Sequence, residues 1–283
     1  MRSIGVIGNG FVGNAVATGF GDFADVRVYD VDRERSTHTL NETLNTEFVF
    51  VCLPTPMVNE NGGECNLSII ENFFSSLDPD EFDGDFPVFI VKSTVPIGTT
   101  EMLQDKFSWL DIVHNPEFLT AANAEEDFVN ADRTVIGGRN LISLGKVREL
   151  YQECFPCIPV YTMTSNESES VKYYANCFLA TKVMFFNEMK LLSEKFGTDY
   201  KTVCEAVIAD YRISDSHWNV PGPDGDYGFG GTCFPKDTNA LITTMEQCGL
   251  DPKVLKAVWE QNLELRKNRD WATSKSAVLS VEE

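Results

Sequence analysis

The chain opens on a short apolar run, residues 3–7. It breaks into Gly8-Asn9-Gly10-Phe11-Val12-Gly13 and continues with helical character over residues 14–20. A G-x-G-x-x-G spacing between a strand and a helix constrains the fold more than any other stretch. Gly8 permits the tight turn, Gly10 lets backbone approach a pyrophosphate, and Gly13 lets helix and strand pack closely. The helix start, at Phe11 and Val12, offers free N–H groups to phosphates. The next apolar strand, residues 26–29, ends at Asp30. A carboxylate there is placed for the ribose 2′- and 3′-hydroxyls and against a 2′-phosphate, so the expected cofactor is NAD. Arg33 and Arg35 leave room for NADP.

Further apolar runs alternate with helical segments. Residues 48–53 end in Pro54-Thr55-Pro56, residues 88–92 in Ser93-Thr94-Val95-Pro96, and residues 111–114 in Asn115-Pro116-Glu117; residues 134–137 and 158–161 follow. This alternation predicts an α/β fold, a Rossmann-type, mostly parallel sheet with helices on both faces, over residues 1–162. Ligands bind at the carboxyl ends of such strands, which makes Pro54, Thr55, Ser93 and Thr94 cofactor-side candidates.

The second half reads as helical. Residues 167–196 hold no glycine or proline, and Val171, Tyr174, Phe178, Val183, Phe186 and Met189 predict one long helix with more than one buried face, up to a stop at Gly197. Helices are also predicted over residues 200–208, 238–247 and 252–266, with a frayed tail after Trp271. The expectation for residues 163–283 is an all-helical domain built on one long helix.

Acidic residues number 43 against 23 basic ones, a formal charge of −20 without any basic stripe, which argues against nucleic acid as a partner. The acidic runs at 78–85 and at Glu125-Glu126-Asp127 read as solvated surface. No apolar run approaches the length of a membrane span, and the N-terminal run reads as a strand rather than a leader. No membrane association, a cytoplasmic location and reduced thiols are therefore expected. Among the eight cysteines, Cys154-Phe155-Pro156-Cys157 has redox or half-zinc spacing. No second pair accompanies it and the three histidines are scattered, so it reads as structural and no metal site is expected.

The chemistry concentrates in Gly228-Phe229-Gly230-Gly231-Thr232-Cys233-Phe234-Pro235-Lys236-Asp237. The glycines let backbone approach a ligand, Lys236 and nearby amides favour the thiolate of Cys233, and Asp237 can move a proton or hold a water. A Gly/Pro-rich loop, Pro221-Gly222-Pro223-Asp224-Gly225-Asp226, leads into it. Lys172 and Asn176, four apart, share a helix face. They suit a substrate hydroxyl or oxyanion, although the spacing alone equally fits a solvated pair.

These motifs, taken in order, resemble the UDP-glucose/GDP-mannose dehydrogenases. The matching segments are residues 4–13, Val51-Cys52-Leu53-Pro54-Thr55-Pro56, Lys92-Ser93-Thr94-Val95-Pro96-Ile97-Gly98, Asn115-Pro116-Glu117-Phe118-Leu119, Asp132-Arg133, Lys172-Tyr173-Tyr174-Ala175-Asn176 and residues 228–237. The resemblance implies an NAD-dependent, four-electron oxidation of a nucleotide sugar, UDP-glucose to UDP-glucuronate, through a thiohemiacetal and a thioester on the cysteine. GDP-mannose or a UDP-N-acetylhexosamine would be oxidised by the same mechanism. It further implies Cys233 as nucleophile, Lys172 as oxyanion stabiliser with Asn176 as polar partner, and Asp237 with a water in proton transfer. Thr94 would position water, Glu117 would assist thioester hydrolysis, and Lys236 would hold the motif or a phosphate. Phe118, Leu119, Phe229 and Gly230 fall in substrate-facing motifs. Arg212 matches an arginine that reaches a neighbouring subunit's substrate, which implies a homodimer.

Two departures stand out. Ala121 occupies the place where many members carry a second glutamate, and the sequence stops soon after the central helices, ahead of the third α/β domain that completes the nucleotide-sugar site. A single-oxidation β-hydroxyacid-type dehydrogenase and a non-catalytic dinucleotide-binding partner are the rival readings. The cysteine motif argues against the first, and the full set of reactive residues against the second.

Overall fold

The computed structural model describes residues 1–82, 84, 86–120, 122–274 and 276–279, with only the backbone of Glu81. Ala121 lies outside the described residues, as do Asp83 and Asp85 of the acidic run and Lys275 and residues 280–283 of the tail. The chain forms two compact units, Met1–Thr55 with Leu67–Lys172, and Pro56–Asn66 with Tyr173–Glu283. The 162/163 boundary read from the sequence lies just ahead of a long helix, whereas the units divide inside it, at 172/173.

In the first unit, β1 (Arg2–Ile7), β2 (Ala24–Tyr29), β3 (Phe48–Val51), β6 (Val88–Val91), β7 (Asp111–His114), β8 (Thr134–Gly138) and β9 (Val160–Met163) make a seven-stranded sheet, ordered β2-β1-β3-β6-β7-β8-β9. Every pairing is parallel except β7 with β8. The order reverses between β1 and β3, the position at which such sheets bind ligands. The central strands are buried on both faces, as their unbroken Val/Ile/Phe runs require. Alternate residues explain how. Phe48, Phe50, Val88 and Ile90 meet α1 (Phe11–Phe20), α5 (Ala124–Val129) and α6 (Leu141–Cys154). Val49, Val51, Phe89 and Val91 meet α2 (Leu40–Leu44), α3 (Ser68–Ser75) and α4 (Thr99–Lys106).

The long helix is α7 (Ser165–Phe196), 32 residues, ending at Gly197 with φ +65°, a conformation glycine adopts without strain. The second unit adds α8 (Tyr200–Ile208), which packs Tyr200 and Cys204 on Phe186, and sets α9 (Phe234–Gln247) and α10 (Lys253–Leu265) around a core of Ala180, Met184, Phe229, Ile242 and Trp259. It also contains an unexpected hairpin, β4 (Met57–Asn59) and β5 (Gly62–Cys65). The described residues after Trp271, 272–274 and 276–279, correct the expectation of a frayed tail. Trp271 and Ala277 are fully buried, and Met57 of β4 bonds through its N–H to Ala277 O and through its carbonyl to Leu279 N. Weak local propensity is overridden there by tertiary burial.

Candidate active site

The glycine loop between β1 and α1 has the geometry its spacing requires. Gly8 has φ +89°, and a Cβ there would lie 2.7 Å from Cys52 O. A Cβ on Gly13 would lie 1.9 Å from Gly8 O, so helix and turn pack only because both are glycine. A Cβ on Gly10 would meet nothing within 4 Å, which leaves an open cradle at the helix start. Gly10 caps α1 without a side-chain bond, so its first amides remain available to an anion. At the end of β2, Asp30 accepts from Asn9 N at 2.7 Å and from Asp32 N at 2.9 Å. The ribose-binding candidate is thereby tied to the phosphate loop. These residues fit a dinucleotide: Gly8, Gly10, Phe11, Val12 and Gly13 for the pyrophosphate and Asp30 for a ribose. Arg33 is exposed on the short 3-10 turn Arg33–Arg35 that follows.

The strand ends are cross-braced. Thr55 Oγ1 donates to Thr94 O at 2.7 Å, and Ser93 Oγ donates to Leu53 O at 2.6 Å. The Pro54-Thr55 and Ser93-Thr94 turns therefore hold each other in shape, with Thr94 itself buried. The turn after β7 presents Glu117, whose Oε1 meets Lys172 Nζ at 2.8 Å, while the same ammonium donates to Glu117 O at 2.7 Å. Glu117 Oε2 accepts from Leu119 N at 2.7 Å. Both side chains are nearly sealed, at 3% and 5% exposure, so Lys172 is not a solvated helix residue. Phe118 lies under the Arg133 guanidinium, 4.2 Å from its ring centre.

Two buried residues support this group without having been singled out from the sequence. Lys92 donates to Asn115 Oδ1 at 3.2 Å, and burial pushes its pKa down to about 8. With Asn115, Glu117, Phe118 and Arg133 it lines a cavity of about 570 Å³. Glu169, one turn before Lys172 on α7, accepts from Gly98 N (2.6 Å), Thr100 N (2.8 Å) and Thr100 Oγ1 (2.6 Å). It thereby caps the N-terminus of α4. Burial pushes its pKa up to about 7 against the pull of those bonds. Its one signal in the sequence is the i, i+3 relation to Lys172.

In the second unit, Cys233 stands immediately before α9, where the free amides and helix dipole favour a thiolate. Asp237, one turn into the helix and fully buried, takes Lys236 Nζ on Oδ1 and Asn176 Nδ2 on Oδ2, both at 2.6 Å. Burial alone would lower the Lys236 pKa, but Asp237, with the thiols of Cys65 and Cys233 in electrostatic reach, drives it upward. Lys236 thus stays cationic and is already engaged by Asp237. Asn176, buried on α7, is not solvated either. Cys177 bonds Asp237 O at 3.6 Å, and burial pushes its thiol well up, so it stays neutral while Cys233 is half-exposed. Phe229 is a core residue, its ring against Phe234 and Trp259. Arg212 is exposed and paired with Asp210.

Two of the motif glycines, Gly228 and Gly230, have a reason other than the one expected. A Cβ on Gly228 would lie 2.2 Å from Asn262 Oδ1, and one on Gly230 would lie 2.1 Å from Arg266 Nη2. Their missing side chains make room for protein groups.

Residues 34–155 match the NAD binding domain of the UDP-glucose/GDP-mannose dehydrogenase family, and residues 166–264 match its central domain. The chain belongs to the UDP-glucose/GDP-mannose dehydrogenase family. Among similar members, a UDP-glucose 6-dehydrogenase of Bacillus subtilis is 30% identical over 93% of this chain and 63% of its own length. One from Rickettsia bellii is 37% identical over 82% of this chain and 53% of its own. The solved UDP-glucose dehydrogenase of Pyrobaculum islandicum superposes with a TM-score of 0.82 at 31% identity, over 93% of this chain and 68% of that one. The chain spans about half to two-thirds of the length of these family members. Among the described residues, no helix is long and apolar enough to cross a membrane.

Proposed function

We propose that this chain oxidises the C6 hydroxymethyl group of UDP-glucose to a carboxylate, in two successive two-electron steps at Cys233. The observation that carries the reading is a half-exposed cysteine at a helix N-terminus, one turn ahead of a buried Lys236–Asp237–Asn176 cluster. NAD, when bound at the glycine loop and Asp30, supplies the hydride acceptor for each oxidation. Asp237, acting through a water that Thr94 helps position, accepts the proton from the C6 hydroxyl. The Cys233 thiolate then forms a C–S bond to the aldehyde carbon, and the Lys172 ammonium stabilises the oxyanion before it is protonated to the thiohemiacetal. Asn176 is four residues from Lys172 on α7 and assists as a second donor. After the second oxidation water adds to the thioester with help from Glu117, the C–S bond breaks, and the thiolate is restored. In sum, one sugar, two NAD and one water give one uronate, two NADH and three protons.

The proposal extends to a homodimer. Tyr174 and Phe178, which the periodicity assigns to a buried face, are instead exposed along α7, together with Phe185, Leu192 and Phe196. At 100° per residue they fall on one narrow stripe, an arrangement that suits a second copy of the chain.

The deciding experiment counts NADH formed per UDP-glucose consumed, for the native protein and Cys233→Ser. Two NADH per sugar, with complete turnover lost in the variant, is the expected result. One NADH per sugar would replace this reading with a single oxidation. No NADH from UDP-glucose, with turnover on GDP-mannose or a UDP-N-acetylhexosamine, would move the substrate within the family.

A further inference from the structure

The stretch between Gly228 and Cys233 has no regular secondary structure and contains three glycines, so left alone it would sample many conformations. In the structure each peptide from the Gly228 N–H to the Gly231 N–H is held by a side chain. Asn187 Oδ1 accepts from Gly228 N at 2.9 Å. Asn262 takes both sides of Phe229, accepting from its N–H at 2.8 Å and donating to its carbonyl at 3.0 Å. The Asp270 carboxylate accepts Gly231 N–H with both oxygens, at 3.1 and 3.0 Å.

Asp270 is itself set by Arg266, whose guanidinium donates to Asp270 Oδ1 at 3.3 Å and pairs with Asp224. The same guanidinium reaches Asn268 O at 2.7 Å and Tyr227 O at 3.4 Å. Only 1% of the Arg266 side chain is exposed. Burial would raise the Asp224 pKa, yet its bond to Arg266 holds it below the usual range. The cation thus stands between two carboxylates. Gly230 lies flat against it, since a Cβ there would come within 2.4 Å of both Arg266 Cζ and Asp270 Oδ1.

We propose that Arg266 and Asp270 are positioning residues that fix the backbone two residues ahead of Cys233 and so aim its thiolate. Neither touches the reacting atoms; they act through Gly230 and Gly231. The inference rests on Cys233 being the nucleophile. A thiolate displaced by about 1 Å loses on the order of 100-fold in rate, which is the scale of effect at stake.

The test compares Asp270→Ala, Asp270→Asn and Arg266→Lys in the full chain, with kcat, KM and peptide-resolved alkylation of Cys233 by iodoacetamide. Asp270→Ala is expected to lower kcat by about 10- to 100-fold, with KM for both substrates within about twofold. Its Cys233 alkylation rate should change by a similar factor, while exposed Cys157 and Cys248 react as before. Asp270→Asn keeps an acceptor for Gly231 N–H and should recover most of the loss. Arg266→Lys cannot span both carboxylates and should behave like Asp270→Ala. Unchanged kcat and unchanged Cys233 alkylation in Asp270→Ala would overturn the proposal. So would a loss matched by the unfolded fraction alone, with kcat per folded molecule intact. Full turnover by Cys233→Ser would sink the nucleophile assignment separately, and the alkylation rates would still report on the clamp.

Discussion

Lys172 and Glu117 are buried together, each supplying the charge the other needs. Removing one partner of such a pair leaves an uncompensated charge, whereas removing both is far milder. Lys172→Met is therefore expected to destabilise the protein by about 3 kcal/mol and to cut turnover by at least ~100-fold. Adding Glu117→Gln should restore much of the stability and none of the activity. Urea denaturation and turnover on the two single variants and the double variant separate these effects. A double variant no more stable than Lys172→Met would show that the two side chains are not coupled. At this scale the sequence was partly legible. The spacing of Lys172 and Asn176 suggested a shared face, but burial of both, and their separate partners Glu117 and Asp237, depend on residues distant in the chain. Gly228 and Gly230 were visible as glycines, yet the groups filling the missing Cβ space, Asn262 and Arg266, are more than thirty residues away.

Among elements, the link between α7 and α4 has a testable pH signature. The Glu169 carboxyl has a pKa of about 7 in the folded chain, raised from 4.5. The folded state therefore binds this proton more tightly than the unfolded state. Its stabilising effect is complete below the unfolded value and lost as pH rises through the folded one. The full span corresponds to about 3 kcal/mol. The stability difference between the native chain and Glu169→Gln should shrink from pH 5 to pH 8, read from thermal melts; a constant difference would refute this. The central strands β3 and β6 were legible because they are buried on both faces and read as continuous apolar runs. The hairpin β4–β5 was not. Its sequence is mostly polar and glycine, and its hold comes from Trp259 and Trp271, whose indoles donate to Asn61 O and Glu60 O. In turn, Met57 of the hairpin holds Ala277 and Leu279, in a segment that shows no period of its own.

On the scale of the whole molecule, the apolar stripe of α7 predicts self-association. Phe178→Asp with Phe185→Asp should convert a dimer to a monomer by light scattering after gel filtration, with the melting temperature little changed. A native chain that elutes as a monomer at micromolar concentration would remove the dimer from the proposal.

The placement of Pro56–Asn66 among the helices has a consequence for how the protein is made. A ribosome releases this segment early, yet Met57 bonds with Ala277 and Leu279, more than two hundred residues later. Contacts of such sequence separation form late and slow the search for the native state. While the sheet can assemble during synthesis, the hairpin must wait, its edge unpaired, until residues 277–279 have emerged. The unit that carries Cys233 thus becomes native after the sheet, and any contiguous fragment of the message that encodes this unit whole must encode Leu67–Lys172 of the other unit as well.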